Sequence, residues 1–224
     1  MAAAVVITFD CYGTLIDWEK GIRNAFHNAI LKTGGDSSLE SKAFEAYEEE
    51  ERRVEKERPH ILYRDVLSKT SLAVARKIGW KLPEAELTFL ARELPNWTPF
   101  PDTNHSLARL ARKHTLGILS NVDNDLLSGT LRHLTSSFEI KVTAENVRSY
   151  KPAFGHFEEA RGIIGERGWV HVAGSQYHDI EPAVKLGIKA VWVNRKNARP
   201  TRNYSEKQVL EVKDLTELVA RLDS

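Results

Sequence analysis

Five short apolar runs, rich in β-branched residues, recur along the chain and are separated by stretches with helical character. The runs cover residues 5–9, 115–119, 138–143, 169–172 and 189–193. Two parallel strands need a crossover between them, usually a helix, so this alternation is typical of a sheet covered by helices. It predicts an α/β fold with a doubly wound parallel sheet, a Rossmann-like core of about five strands.

The first two runs are separated by a long stretch, about residues 18–97, that has helical periodicity and no strand pattern. Its apolar residues lie three or four apart in segments that begin near Trp18, Leu39, Leu62 and Pro83. The segment 94–102 contains three prolines and cannot be a helix interior, so it is expected to return the chain to the sheet. We therefore predict a Rossmann-like core at 1–16 and 99–224, with a four-helix insertion at 17–98.

Composition excludes several classes of protein. Hydrophobic residues make up 42% of the 224 residues and charged residues 28%, which is typical of globular chains. The 32 Lys and Arg residues nearly cancel the 31 Asp and Glu residues, so neither nucleic acid nor a membrane is an expected partner. A lone cysteine, Cys11, and no secretory pattern in residues 1–10 predict a soluble, cytoplasmic protein.

Polar residues follow four of the five runs, at the point where each strand is expected to end. They occupy positions 10–14, 120–121, 149–152 and 174–179. Ligands of open α/β sheets bind beyond the carboxyl ends of the strands. These four segments are therefore predicted to meet in one crevice.

In order and spacing, the four segments resemble the sequence motifs of the haloacid dehalogenase superfamily, and the resemblance covers essentially the whole chain. It implies that residues 1–16 and 99–224 form the catalytic core and that residues 17–98 form a helical cap domain. It implies that Asp10 is a nucleophile, that Thr14 and Ser120 are positioning groups, and that Lys151 is the cation beside Asp10. Asp179 matches the acidic residue that ends the fourth motif.

Elementary chemistry agrees with these roles. An aspartate is ionised at neutral pH, and a neighbouring ammonium such as Lys151 is expected to keep Asp10 so. Gly13 lets the backbone turn sharply after the strand and leaves the carboxylate at its tip. Each residue also has a simpler interpretation when it is considered alone. Asp10 fits a turn or a helix cap, Lys151 fits an exposed loop, and Ser120 with Asn121 fits a cap before a helix at 122–134. The order of the four motifs along the chain favours the catalytic interpretation.

Two positions favour a dehalogenase over the magnesium-dependent phosphatases that make up most of the superfamily. The phosphatases carry an aspartate acid two residues after the nucleophile, where this chain has Tyr12. They also carry an aspartate after the glycine of the fourth motif, where Ser175 follows Gly174. The sequence therefore predicts no metal and no cofactor, and resembles the 2-haloacid dehalogenase branch.

That branch implies that Asp10 attacks C2 of a small halogenated acid, expels halide, and forms an ester that water opens to a 2-hydroxy acid of inverted configuration. Lys151, Ser120 and Asn121 would hold the substrate carboxylate and the reacting Asp10. Seven residues in or near the motifs are predicted to contact the substrate: Cys11, Tyr12, Trp18, Ser175, Gln176, Tyr177 and His178.

Several positions depart from the best-known members. Those members have an arginine on the second cap helix that receives the halide; this chain lacks it there, and Arg52, Arg53 and Arg64 are the alternatives. Phe157 replaces the usual tyrosine, and Gln176 replaces the usual asparagine. Tyr12, Trp18, Tyr177 and His178 could donate to a halide or simply pack; fluoride gains most from such donors, so fluoroacetate is an expected extension.

Two other functions stay open at the level of sequence. One is a phosphatase of the same superfamily with a degenerate metal motif, and the other is a catalytically silent relative that binds a small ligand. The resemblance also implies a homodimer.

Overall fold

The structure of the protein is a computed structural model, and it describes residues 4–223. The outer limits predicted for the core, residues 1 and 224, lie outside the described residues. The strands, in chain order, are β1 Val6–Phe9, β2 Thr115–Ser120, β3 Ile140–Thr143, β4 Trp169–Ala173, β5 Lys189–Val193 and β6 Val209–Val212. The helices are α1 Trp18–Lys32, α2 Leu39–Glu55, α3 Tyr63–Ile78, α4 Phe89–Glu93, α5 Thr103–Leu110, α6 Asn124–Leu131, α7 Ala144–Val147, α8 Gly155–Ile164, α9 Glu181–Lys185 and α10 Leu215–Asp223.

The strands form one parallel sheet in the order β3-β2-β1-β4-β5-β6. The predicted doubly wound α/β fold is confirmed, and all five predicted strands are present. The estimate of about five strands was one too few. Strand β6 was missed because Val209–Val212 is only four residues long and includes Glu211, so it lacks the apolar run of a central strand.

The described chain divides into two compact units. The first contains the described residues up to Asp17, then Pro99–Asn121, then the described residues from Arg132 onward. The second contains Trp18–Thr98 and Val122–Leu131. The first unit holds the whole sheet, and the second holds α1–α4 together with α6. That residues 17–98 act as a cap domain stays a prediction.

Aromatic packing forms the interior of the second unit. The rings of Phe26 and Phe89 meet edge to face with centroids 5.2 Å apart, and Trp80 lies 5.9 Å from Phe89. The indole N–H of Trp80 donates to the Thr33 hydroxyl at 2.9 Å, so this large ring is buried without losing its hydrogen bond.

Among residues 4–223, no helix has the length and apolar character needed to cross a membrane.

Candidate active site

Asp10 lies at the carboxyl end of β1, where the strand gives way to a tight turn. Its N–H donates to the Val172 carbonyl at 3.0 Å, which continues the pairing with β4. Gly13 has φ of +95°, a conformation that suits glycine, and its N–H donates to the Ile16 carbonyl at 2.8 Å. The turn leaves the Asp10 carboxylate at the strand tip with 8% of the residue exposed.

Thr14 fixes one oxygen of this carboxylate. The Gly174 N–H donates to Thr14 Oγ1 at 2.9 Å, and the Thr14 hydroxyl donates to Asp10 Oδ2 at 2.8 Å. The hydroxyl therefore accepts from one side and donates to the other, which sets its direction. This chain of bonds joins the first motif to the fourth.

Gly174 is required by the close approach of these two motifs. A Cβ at this position would lie 2.7 Å from the Gly13 carbonyl oxygen, closer than such contacts occur. We expect Gly174→Ala to lower the free energy of unfolding by about 1–3 kcal/mol, because the turn that carries Asp10 must shift. Urea unfolding measures the change.

Gly162→Ala is the matched control for that substitution. Gly162 is exposed in α8, and an added Cβ meets nothing within 4 Å. Alanine there should raise stability by about 1 kcal/mol through helix propensity. Equal effects of the two substitutions would contradict the close-approach explanation.

Lys151 occupies the centre of the site with 2% of the residue exposed. Its ammonium donates to Asp10 Oδ1 at 2.9 Å, to Asp179 Oδ1 at 2.6 Å and to the Leu119 carbonyl at 2.8 Å. These three bonds use all three hydrogens of the ammonium group. One cation thus bridges two buried carboxylates, and the exposed-loop alternative for Lys151 is wrong.

Asn121 holds the backbone of Lys151 from both sides. Its amide oxygen accepts from the Lys151 N–H at 2.7 Å, and its amide nitrogen donates to the Lys151 carbonyl at 3.1 Å. Helix α6 begins at Asn124, so Ser120 and Asn121 do not cap a helix at 122–134. Positioning Lys151 is the role that these contacts give Asn121.

The charges of the three groups are set by burial and by each other. Burial lowers the pKa of Lys151, but Asp10 and Asp179 raise that pKa by more, so it lies well above its ordinary value. Burial raises the pKa of Asp179, but Lys151 and His171 lower it by more, and the pKa falls well below its usual range.

Asp10 differs from Asp179 in this respect. Burial and the charge of Asp179 raise the pKa of Asp10 by more than Lys151 and Thr14 lower it. The net shift of the Asp10 pKa is therefore upward. Lys151 lowers this pKa, as expected, but burial and Asp179 together outweigh it. Each carboxylate accepts two side-chain hydrogen bonds, but His171 also lowers the pKa of Asp179 electrostatically, whereas Asp10 has the neutral Thr14 hydroxyl in that place.

Ser120 ends β2 with its hydroxyl fully buried. Among the described residues this hydroxyl has no hydrogen-bond partner. The Ser120 carbonyl lies 3.1 Å from His156 Nε2, and since a carbonyl only accepts, Nε2 carries the proton. Burial and the charge of Lys151 lower the pKa of His156 to about 3, so this histidine is neutral.

The residues after Gly174 form one π-helical turn at Gln176–Ile180. The Ser175 hydroxyl caps it, accepting from the His178 N–H at 3.1 Å and contacting His178 Nδ1 at 3.2 Å. The Gln176 amide is engaged elsewhere, since its oxygen accepts from the Thr201 N–H at 2.8 Å. Tyr177 is 49% exposed and packs its ring against His178.

The other predicted substrate contacts are divided between the two units. Cys11 is fully buried, and burial raises the pKa of its thiol well above the ordinary value, so it is a neutral core group. Tyr12 is half-buried and its backbone bridges to Ile16. In the second unit, Trp18 stacks on Phe44 with ring centroids 6.2 Å apart.

The three arginines considered as halide acceptors all pair with carboxylates in the second unit. Arg52 contacts Glu48 at 3.3 Å and Arg53 contacts Glu50 at 2.9 Å, both on an exposed face of α2. The Arg64 Nε lies 3.1 Å from Asp123. None of them is distinguished as a halide acceptor by these contacts.

Sequence reasoning missed Arg195, which lies two residues after β5. Its guanidinium donates to the Thr14 carbonyl at 2.9 Å and pairs with Asp102 at 2.9 Å, so it holds the turn that carries Asp10. The rule that found the other motifs applies here too, because polar Asn194 and Arg195 follow the fifth run. His171, inside β4, had no such signal.

Comparison with known proteins decides the family. The sequence pattern of the haloacid dehalogenase-like hydrolases matches residues 7–193. The chain belongs to this family. No curated protein matches the sequence closely enough to be informative.

Solved structures of other haloacid dehalogenase-like hydrolases share the fold over nearly the whole chain. A defluorinating L-2-haloacid dehalogenase aligns with a TM-score of 0.83 at 19% identity, over 99% of this chain and 96% of its own. The L-2-haloacid dehalogenase of Xanthobacter autotrophicus with chloropropionic acid covalently bound gives 0.82 at 18% identity, over 99% of both chains. A magnesium-bound hydrolase of the same family from Bacillus subtilis gives 0.83 at 17% identity, over 100% of both. At these identities the likeness shows the fold.

The magnesium that serves many haloacid dehalogenase-like hydrolases does not fit the residues of this site. Both carboxylates, Asp10 and Asp179, are bonded to the Lys151 ammonium, and Ser175 stands where a third carboxylate would be needed. Magnesium binds an octahedral set of hard oxygens. Within residues 4–223, no three His, Cys, Asp or Glu side chains gather as a metal-binding group.

Proposed function

We propose that the protein is a hydrolytic dehalogenase of short 2-haloalkanoic acids, fluoroacetate included, that works through an ester at Asp10. The observation that carries this proposal is the ammonium of Lys151 bridging Asp10 and Asp179. A site whose two carboxylates share an internal cation is suited to a monoanionic substrate, whereas a phosphate dianion needs further positive charge.

In the first step, a carboxylate oxygen of Asp10 attacks C2 of the haloacid. The new C–O bond forms as the carbon–halogen bond breaks, and halide leaves with the bonding electrons from the opposite face, which inverts the configuration. Thr14 and Lys151 hold the two oxygens of Asp10 at 2.8 and 2.9 Å, so the nucleophile reaches the carbon in a fixed orientation.

In the second step, water adds to the carbonyl carbon of the Asp10 ester. Asp179 Oδ2 is buried and, in the described part of the chain, has no hydrogen-bond partner. It is therefore an acceptor for the proton of that water. The acyl C–O bond of the ester then breaks, the leaving alkoxide takes that proton from Asp179, and Asp10 returns to its carboxylate form by losing a proton to solvent.

Ser120 is our candidate for holding the substrate carboxylate. Its hydroxyl is buried without a partner at the end of β2, next to the strand that ends in Asp10. A buried hydroxyl that lacks a partner is stabilised when a ligand supplies one. Asn121 supports this arrangement indirectly, through Lys151.

A substrate panel with and without EDTA tests the proposed function. Chloroacetate, both enantiomers of 2-chloropropionate, and fluoroacetate should release halide at rates that EDTA leaves unchanged. Hydrolysis of p-nitrophenyl phosphate that EDTA abolishes would favour the phosphatase alternative. Release of neither halide nor phosphate across the panel would favour a ligand-binding relative.

A cytoplasmic location and a homodimer stay predictions.

The pH dependence of turnover should report Asp10. Attack requires its carboxylate form, and burial raises its pKa above the ordinary value of 3.8. Activity therefore falls as pH decreases, with the acid limb of kcat/KM above 3.8, because kcat/KM reports the free enzyme. An acid limb at or below pH 3.8 would contradict this assignment.

A further inference from the structure

Beneath Asp179 lies a row of three polar side chains within the sheet, of which Thr8 and His171 are buried and Trp169 is partly buried. Thr8 and His171 are register partners on β1 and β4, and Thr8 Oγ1 lies 2.9 Å from His171 Nδ1. The indole N–H of Trp169 donates to the same hydroxyl at 2.8 Å. On its other side, His171 Nε2 lies 3.1 Å from Asp179 Oδ1. The row thus ends on the carboxylate that Lys151 binds.

Counting hydrogens along this row fixes the tautomer of His171. The indole nitrogen of Trp169 can only donate, so it occupies a lone pair of the Thr8 hydroxyl. These two contacts are the only hydrogen bonds of Thr8 Oγ1 in the described chain, so its own hydrogen is satisfied only by donating to Nδ1. His171 then carries its proton on Nε2 and donates to Asp179, and every donor in the row has an acceptor.

The surrounding packing holds the imidazole and the hydroxyl in place. The ring of Phe157 meets His171 edge to face at 5.1 Å between centroids, and both residues are fully buried. Gly117, the partner of Thr8 on β2, leaves room for the threonine methyl, because a Cβ there would lie 3.1 Å from Thr8 Cγ2. Neither ring nor hydroxyl can turn without displacing these neighbours.

We propose that His171 is a positioning residue for the hydrolytic step: Trp169 and Thr8 orient its ring from the Nδ1 side, and its Nε2–H donates to Asp179. Its proton and the Lys151 ammonium both bind Asp179 Oδ1, which leaves Oδ2 as the oxygen that takes the proton from water. This inference rests on the proposed function, since it assigns His171 to the opening of the Asp10 ester.

Thr8→Val and Thr8→Ser separate the hydrogen bonding of the Thr8 hydroxyl from the packing of its side chain. Valine keeps the shape of threonine but removes the hydroxyl, whereas serine keeps the hydroxyl. In ¹⁵N-histidine NMR of the free protein, the wild type and Thr8→Ser should show His171 protonated on Nε2 alone. Thr8→Val should keep Nε2 protonated, because the Asp179 carboxylate can only accept, but should shift the Nδ1 resonance, whose hydrogen-bond donor is lost. The His171 signal among the eight histidines is the one that disappears in His171→Gln.

Single-turnover kinetics gives the second readout. With chloroacetate, Thr8→Val should form the Asp10 ester at the wild-type rate and hydrolyse it about tenfold more slowly, a fraction of what a general base contributes. His171→Gln, whose amide can still donate to Asp179, should hydrolyse the ester faster than His171→Leu. Intact-protein mass spectrometry after rapid quenching follows the ester.

The inference is overturned if wild-type His171 is protonated on Nδ1, or if Thr8→Val changes either readout without the other. It is also overturned if Thr8→Val matches the wild type in both. Failure of the wild type to form an ester from any haloacid would overturn the proposed function instead. The two failures are distinguishable, because the NMR measurement needs no substrate.

Discussion

Asp10→Asn should lower the rate of halide release by about 10⁴-fold or more, as losses of catalytic carboxylates do elsewhere. An amide oxygen is a far weaker nucleophile than a carboxylate, while the substitution keeps the shape of the side chain. Initial rates with chloroacetate, followed by halide release, measure the loss. Asp65→Asn, at an exposed aspartate in the first turn of α3, is the matched control and should retain activity.

The same substitution should leave the fold intact. Since burial raises the pKa of Asp10, the folded protein disfavours its charge, and a neutral asparagine removes that cost. We expect the melting temperature of Asp10→Asn to equal or exceed that of the wild type. A lower melting temperature, or halide release at the wild-type rate, would contradict the role assigned to Asp10.

Lys151→Met should abolish turnover and lower the free energy of unfolding by about 3–5 kcal/mol. The substitution leaves Asp10 and Asp179 as buried carboxylates without their shared cation, in a position where Lys151 is 2% exposed. Urea unfolding followed by circular dichroism measures the change at neutral pH, where both carboxylates are paired in the wild type.

A double substitution distinguishes lost charge pairing from lost packing. Adding Asp179→Asn to Lys151→Met neutralises one of the two stranded carboxylates, so part of the stability should return although activity does not. Lys141→Met, at an exposed position of β3, is the control for replacing a lysine in this unit. If Lys151→Met proved as stable as that control, the bridging ammonium would not have the role described.

The fold was predictable because apolar runs alternate with helical segments, and the order of the motifs followed from where parallel strands end. Asp10 and Lys151 are 141 positions apart, yet both follow strands whose carboxyl ends share one edge of the sheet. Strand β6 was not predictable in this way, since its four residues carry a charge and its pairing with β5 depends on tertiary structure.

Within the site, the residue types could be predicted from sequence, but the direction of the Asp10 pKa shift could not. The upward shift of the Asp10 pKa depends on burial and on the position of Asp179, neither of which is visible in sequence. His171 escaped notice because it lies inside a strand, where a histidine resembles any buried residue. The partners that give it a function, Thr8 and Asp179, are identified only by distance.

One measurement separates an ester at Asp10 from direct attack of water on the substrate: mass spectrometry of the protein and product after a single turnover in H₂¹⁸O, with enzyme in excess over chloroacetate. We expect one ¹⁸O atom in the peptide that contains Asp10 and ordinary oxygen in the first glycolate released, because water attacks the carbonyl carbon of the ester. Label in the glycolate with none in Asp10 would show that no ester forms at this carboxylate.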